Sequence, residues 1–309
     1  MENIEAQIQK YKPNLCRSSI KLYITKLKRF MKDGEFDIKV FDKVKNILSH
    51  IESYPNISTR KSILTSIVVA LNAQKRKKKK IIKQYTDEMM GYMHKENEES
   101  FKQEKTEKQT KSWISMDDFV NVINEMQTEI KEQGLMKQKL DNCQYSLLQD
   151  YLILRFYHEH PMRNDLASLI VVDNEDNIEE DKNYLVKSNP YKIILQNYKT
   201  SRHYGKKQYL INKNLEKIIK KLLQYNTTGY LLLNKNKKTR LTRNNLTLHL
   251  NRIFMKYRNK KIGSSLLRHI QASELNKEKS SLIDQQKQSK DIEDKFLHGG
   301  LMNQLYAKK

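Results

Sequence analysis

Cysteine is scarce in this 309-residue chain, at two residues, Cys16 and Cys143. Two thiols cannot build a disulfide framework or a cysteine-based zinc site, which points to a reducing interior and a soluble intracellular protein. Glycine is sparse too, and none of the eight glycines falls in a GxGxxG or Walker pattern, so the glycine-rich phosphate loops are excluded. No apolar run reaches the ~18 residues that would suggest a membrane span, and Met1-Glu2-Asn3-Ile4-Glu5 holds no signal-peptide core. No membrane association is therefore expected. GxSxG and HExxH are also missing. His158-Glu159-His160 invites a metal reading, but histidines two apart on a helix point to different sides, so no metal is expected there.

What the chain has in excess is positive charge. Fifty-nine Lys plus Arg stand against 36 Asp plus Glu, a net charge of +23 and a pI near 9.7. A field of that sign and size favours a polyanion, since each neutralised phosphate releases condensed counterions. An anionic membrane surface fits less well, because no basic amphipathic anchor with an aromatic face is present. A lysine-rich coding bias, signalled by abundant Asn and Ile, accounts for part of the excess. The partner implied is nucleic acid.

Residues 1–93 read as a small helical bundle. Ser18-Ser19 caps a helix through Ile20, Tyr23, Leu27 and Phe30, and Gly34 stops it. A stripe from Phe41 to Ile51 ends near Pro55; a third helix starts at Ser58-Thr59, and a fourth carries Ile81, Tyr85, Met89 and Met93. Between the last two lies Lys75-Arg76-Lys77-Lys78-Lys79-Lys80, which reads as a solvated helix end, a DNA-binding run or a nuclear-import signal. Residues 94–112 are almost wholly polar and read as a linker. Folded structure resumes at Trp113, with Ser115 as a helix cap, and the second domain spans 113–309. A long apolar helix, about 140–158, precedes β-like runs at Leu169–Val172, Tyr184–Lys187, Tyr191–Asn197 and Lys207–Ile211. After Asn214 the pattern is again helical, with Thr242 capping one helix. The fold class expected is mainly α with a small antiparallel β-sheet, an α+β arrangement.

Attack on a phosphodiester without a metal needs cations to take the charge that grows on the non-bridging oxygens, and arginine's planar fork suits two of them at once. The leaving oxygen needs a proton. A tyrosine nucleophile would store the bond as a phosphoester, given help with its pKa near 10. Five residues of these types stand in sequence. Arg163 lies in His160-Pro161-Met162-Arg163-Asn164-Asp165, and Lys199 in Asn197-Tyr198-Lys199-Thr200. Arg268 follows Ser264-Ser265-Leu266-Leu267 and precedes His269; His298 and Tyr306 lie in Phe296-Leu297-His298-Gly299-Gly300-Leu301-Met302-Asn303-Gln304-Leu305-Tyr306. Singly each reads blandly: an Arg163–Asp165 surface pair, a hairpin-tip lysine, an arginine on an amphipathic helix, a capping histidine, one of 17 tyrosines. In this order, Arg-Lys-Arg-His-Tyr, they resemble the active site of the tyrosine recombinases, the phage-lambda type of integrase.

The resemblance covers about 113–306 by motif and 1–93 by architecture alone. It implies a helical core-binding domain and a catalytic domain that clamp duplex DNA, with Arg163, Lys199, Arg268, His298 and Tyr306 catalytic and Lys199 the general acid. Lys206 and Lys207 are the fallback if the hairpin register slips. It further implies no cofactor, a 3′-phosphotyrosyl intermediate, a homotetramer on two DNA duplexes, and a viral, phage or mobile-element carrier. Three departures stand out. Ser265 occupies the place of the family's general-base histidine, leaving His269 as a substitute. Eight residues, not the more usual nine, separate His298 from Tyr306. Three residues follow Tyr306, so protomer contacts are expected elsewhere. The rival readings are a type IB topoisomerase, a DNA-binding relative that has lost catalysis, and a metal-dependent nuclease.

Overall fold

The computed structural model describes residues 2–277 except 33, 177 and 237. The chain divides into two compact units, Met1–Lys102 and Gln103–Lys309.

The first unit holds α1 (Glu2–Tyr11), α2 (Arg17–Leu27), α3 (Val44–Glu52), α4 (Ile57–Asn72) and α5 (Lys79–Phe101). The fourth of these is central, packing against the other four and burying Ile63, Leu64, Ile67, Ala70 and Leu71. Buried Tyr85 of α5 donates its hydroxyl to the Phe41 carbonyl at 2.9 Å, and the two rings meet edge to face. Local signals misplaced two caps. Cys16, not Ser18-Ser19, holds the N-cap of α2, and Asn56, two residues before Ser58, caps α4 by accepting from the Thr59 amide at 3.1 Å. Helix α1 was not anticipated as a separate element.

The fifth helix runs eight residues past Met93, into the polar stretch read as a linker, and α6 (Glu107–Ser112) occupies the end of that stretch. Polarity forbids burial, not helicity: residues 94–101 contain no Gly or Pro, and Glu96 pairs with Lys61 of α4. A capping box between Thr106 and Gln109 starts α6.

In the second unit α7 (Met116–Glu132) begins with the expected Ser115 cap, closed into a box by Asp118. The next helix, α8 (Asn142–Glu159), starts from a box of Asp141 and Gln144 and is buried nearly all round, the mark of a central core helix. Strands β1 (Ile170–Val172), β2 (Tyr184–Val186), β3 (Lys192–Leu195) and β4 (Lys207–Leu210) form one sheet in that order, with α9 (Ser201–Tyr204) between β3 and β4. Then come α10 (Lys213–Leu223), α11 (Arg243–Arg258) and α12 (Ser264–Lys277). The fold is mainly α with a small sheet, as expected, but the sheet is mixed: β2–β3 and β3–β4 pair antiparallel, whereas β1 and β2 run parallel. The connection between β1 and β2 crosses back to the starting end, which the alternation of residues in a three-residue strand cannot reveal. The free edge of β1 is covered by the 229–231 segment through Val171 N–H to Gly229 O and Leu231 N–H to Leu169 O.

Candidate functional site

Arg163 owes its position to the way α8 ends. Proline disfavours helical backbone at the residue before it and offers no N–H. Accordingly His160 is extended (φ −136°, ψ 97°), and Arg163 becomes the N-cap of a 3-10 turn, Asn164–Ser168. The carbonyls stranded at the end of α8 are met from α12. Gln271 Nε2 donates to the Tyr157 carbonyl at 2.8 Å, and Arg268 Nε donates to the Pro161 carbonyl at 3.1 Å, across 107 residues of sequence. Arg268 is left 3% exposed. Asn164 ties the same turn to α11: it accepts from the Tyr157 hydroxyl at 2.8 Å and donates to the Arg243 carbonyl at 2.8 Å and to Thr247 Oγ1 at 2.7 Å. Burial drives the Tyr157 phenol above the ordinary range, so it remains a neutral donor.

Asp165 is no surface partner of Arg163. It is 3% exposed and accepts from Arg243 Nη2 at 2.6 Å. Burial raises its carboxyl above the ordinary value, while Arg243, Arg163 and Arg268 all pull it down; the net rise shows that desolvation outweighs the attraction. Three guanidinium groups, from the 3-10 turn, α11 and α12, thus act on one buried carboxylate. Arg163 itself is part-exposed and makes no hydrogen bond or ion pair among the described residues.

Lys199 lies in the β3–β4 connection, exposed and without a hydrogen bond or ion pair among the described residues. The base of that connection is held by Asn183, itself 3% exposed. Its Oδ1 accepts from the Gln196 and Asn197 amides at 2.9 and 2.8 Å, and its Nδ2 donates to the Asn197 carbonyl at 2.9 Å. Arg243 Nη2 reaches that same carbonyl at 3.5 Å, which links the hairpin to the arginine cluster. Tyr198, buried beside Lys199, donates to the Gly205 carbonyl at 2.7 Å, and its phenol is pushed up to about 12, chiefly by burial. Of the fallback lysines, Lys206 pairs with Glu175 at 3.0 Å, and Lys207 begins β4.

Ser265 is exposed on the first turn of α12 and His269 is half-buried on the same helix. His298 and Tyr306 lie outside the described residues. In the first unit, Lys75 to Lys80 are all exposed; Lys77 lies 5.4 Å from the centre of the Tyr11 ring and Lys78 pairs with Asp42.

Sequence reasoning missed Arg243 and Asn183. Arg243 had a signal: it follows the Thr242 cap at the first position of α11, where an acid is the favoured charge, and no acid occupies that turn. Asn183 had none, since its three backbone partners lie just past the end of β3, more than ten residues away.

Among the described residues no cluster of three His, Cys, Asp or Glu suits a metal ion, and no helix is long and apolar enough to cross a membrane. An open cavity of about 610 Å³, lined by Glu129, Asp150, Lys235, Arg252 and Lys256 among others, contains none of the candidate catalytic residues. No protein-family model matches the chain, and no curated protein does. Among solved structures it is similar to one described as the crystal structure of XerA recombinase, at 13% identity and a TM-score of 0.42, covering 99% of this chain and 93% of that one. Likeness at that level is too loose to carry a functional inference, which has to come from the side chains.

Proposed function

We propose that this protein is a DNA strand transferase of the tyrosine-recombinase type, a site-specific recombinase or integrase. The observation that carries the reading is that Arg268, on α12, donates to the carbonyl of Pro161, two residues before Arg163, with the buried Asp165 two residues after it. Separate in sequence, the two arginines supply together the planar donors that a phosphate with growing negative charge requires.

In this reading His269 takes the phenolic proton as the Tyr306 oxygen attacks phosphorus, the bond to the 5′ oxygen breaks, and Lys199 delivers the proton that lets that oxygen leave as a hydroxyl. The product is a 3′-phosphotyrosyl link. A 5′-hydroxyl from a second duplex then attacks it, releases the phenol and completes the exchange, with no ATP consumed. His298 hydrogen-bonds the transferring phosphate. The chain that follows α5 joins the DNA-binding bundle to the catalytic domain, Lys75 to Lys80 track DNA phosphates, and four copies assemble on two duplexes. Ser265, exposed where a base would stand, favours one second reading: a DNA-binding relative that has lost catalysis.

A nicked suicide duplex, from which the cut strand end diffuses away, tests both. Wild-type protein is expected to accumulate a covalent adduct, and Tyr306→Phe to form none while binding DNA almost as tightly, since one hydroxyl adds little to a phosphate-dominated interface. DNA binding by wild type with no adduct would overturn the enzyme and leave the second reading standing.

A further inference from the structure

Arg243 belongs to no motif in the sequence, yet its side chain reaches both halves of the cluster just described. Its Nη2 donates to Asp165 at 2.6 Å and to the Asn197 carbonyl at 3.5 Å. Among the described residues Nη1 and Nε carry no hydrogen bond, and the side chain remains 55% exposed although its partner carboxylate is 4% exposed. One corner of the guanidinium is therefore anchored inward while the other donors look to solvent. The anchoring is built: Asn164 donates to the Arg243 carbonyl at 2.8 Å, and Thr242 caps the helix by accepting from the Asn245 amide at 3.2 Å. The position is also costly for a cation. Arg243 opens a 16-residue helix whose first turn holds no acid, so its charge adds to the positive end of the helix dipole. A buried carboxylate offsets part of that cost, and an anion on the outer face would offset the rest.

We infer that Arg243 is a third guanidinium of the DNA site, binding a backbone phosphate through its outward donors while Asp165 fixes its plane. This rests on the strand-transfer reading and adds to it a phosphate ligand outside the five-residue set. Asp165 then orients the arginine and has no part in proton transfer. Arginine's fork makes lysine an imperfect replacement here: the charge survives and the fixed plane does not.

The test is the salt dependence of duplex binding by the full chain, measured beside adduct formation on the suicide substrate. Each phosphate contact contributes about 0.9 to the slope of log affinity against log salt. R243Q, which removes the charge and keeps a planar polar side chain, is expected to lower that slope by about 0.9. R243K is expected to keep the slope and to form adduct more slowly. If R243Q fails to fold, the double variant Asp165→Asn with R243Q removes the buried charge left stranded and reads the same slope. An unchanged slope in a folded R243Q or double variant, with thermal stability alone altered, would reduce Arg243 to a structural clamp and overturn the inference. The two readings separate cleanly. Loss of slope in R243Q with no adduct from wild type keeps Arg243 as a phosphate ligand and sinks the strand transferase; normal wild-type trapping with an unchanged slope does the reverse. Wild type that binds no duplex sinks both.

Discussion

Asn183→Ala removes a buried side chain that ties down the base of the Lys199 connection. Three hydrogen bonds disappear, to the amides of Gln196 and Asn197 and to the carbonyl of Asn197. At about 1 kcal/mol each the loss would be ~3 kcal/mol. Two facts reduce it. Gln196 and Asn197 are partly or largely exposed, so water can reach their freed amides, and Arg243 still donates to the Asn197 carbonyl. A loss of about 2 kcal/mol is expected, equivalent to a fall of roughly 4–8 °C in Tm for a domain of this size. Calorimetry on the full chain, following the transition of the second unit by itself because two units need not unfold as one, measures it. The functional half of the prediction is sharper. A loosened connection should slow covalent adduct formation when the leaving group is an oxygen, which needs the lysine's proton, and spare it when the bridging oxygen is replaced by sulfur, which leaves as a thiolate unaided. A stability loss below about 0.5 kcal/mol would show that the hydrogen-bond reasoning is wrong. Equal slowing on both substrates would show that the connection does not position an acid.

Lys199→Ala should behave as an extreme of the same case, with adduct formation on the oxygen substrate falling by about 10²–10⁴-fold and returning toward wild type on the sulfur one; a variant equally slow on both assigns the proton to another group. Asp165 gives a pH signature opposite in sign to that of an ordinary ion-paired acid. Its folded pKa is raised, so the folded state holds the proton more tightly than the unfolded chain, and the stability this confers is complete below the unfolded value and lost as pH rises through the folded one. Comparing wild type with Asp165→Asn from about pH 4 toward neutrality, wild type should lose stability relative to the variant as pH rises. A wild type that gains on the variant over that range would mean that the three arginines outweigh burial.

The legible parts of this protein were the local ones. Ser115 and Thr242 announce their helices because a cap and the amide it accepts from lie within three residues. The long apolar run became α8, and polar residues 94–101 misled only because polarity excludes burial rather than helix formation. Arg163 and Arg268 could be named from their surroundings, but Asp165, three-dimensionally their shared counter-charge, looked like a surface acid. Arg243 carried one faint sign, a cation at a helix start.

Residue order alone thus determined most of the helices, the Ser115 and Thr242 caps, the positive field and which cations to suspect, since each depends on neighbours a few positions apart or on a sum over the chain. Tertiary structure decided the rest. It set the parallel pairing of β1 with β2, the burial of Asp165 beside Arg243, and the grip of Asn183 on a strand end 13 residues away. Those depend on which distant groups are brought together and shut off from water, and burial is a property no single stretch of sequence possesses.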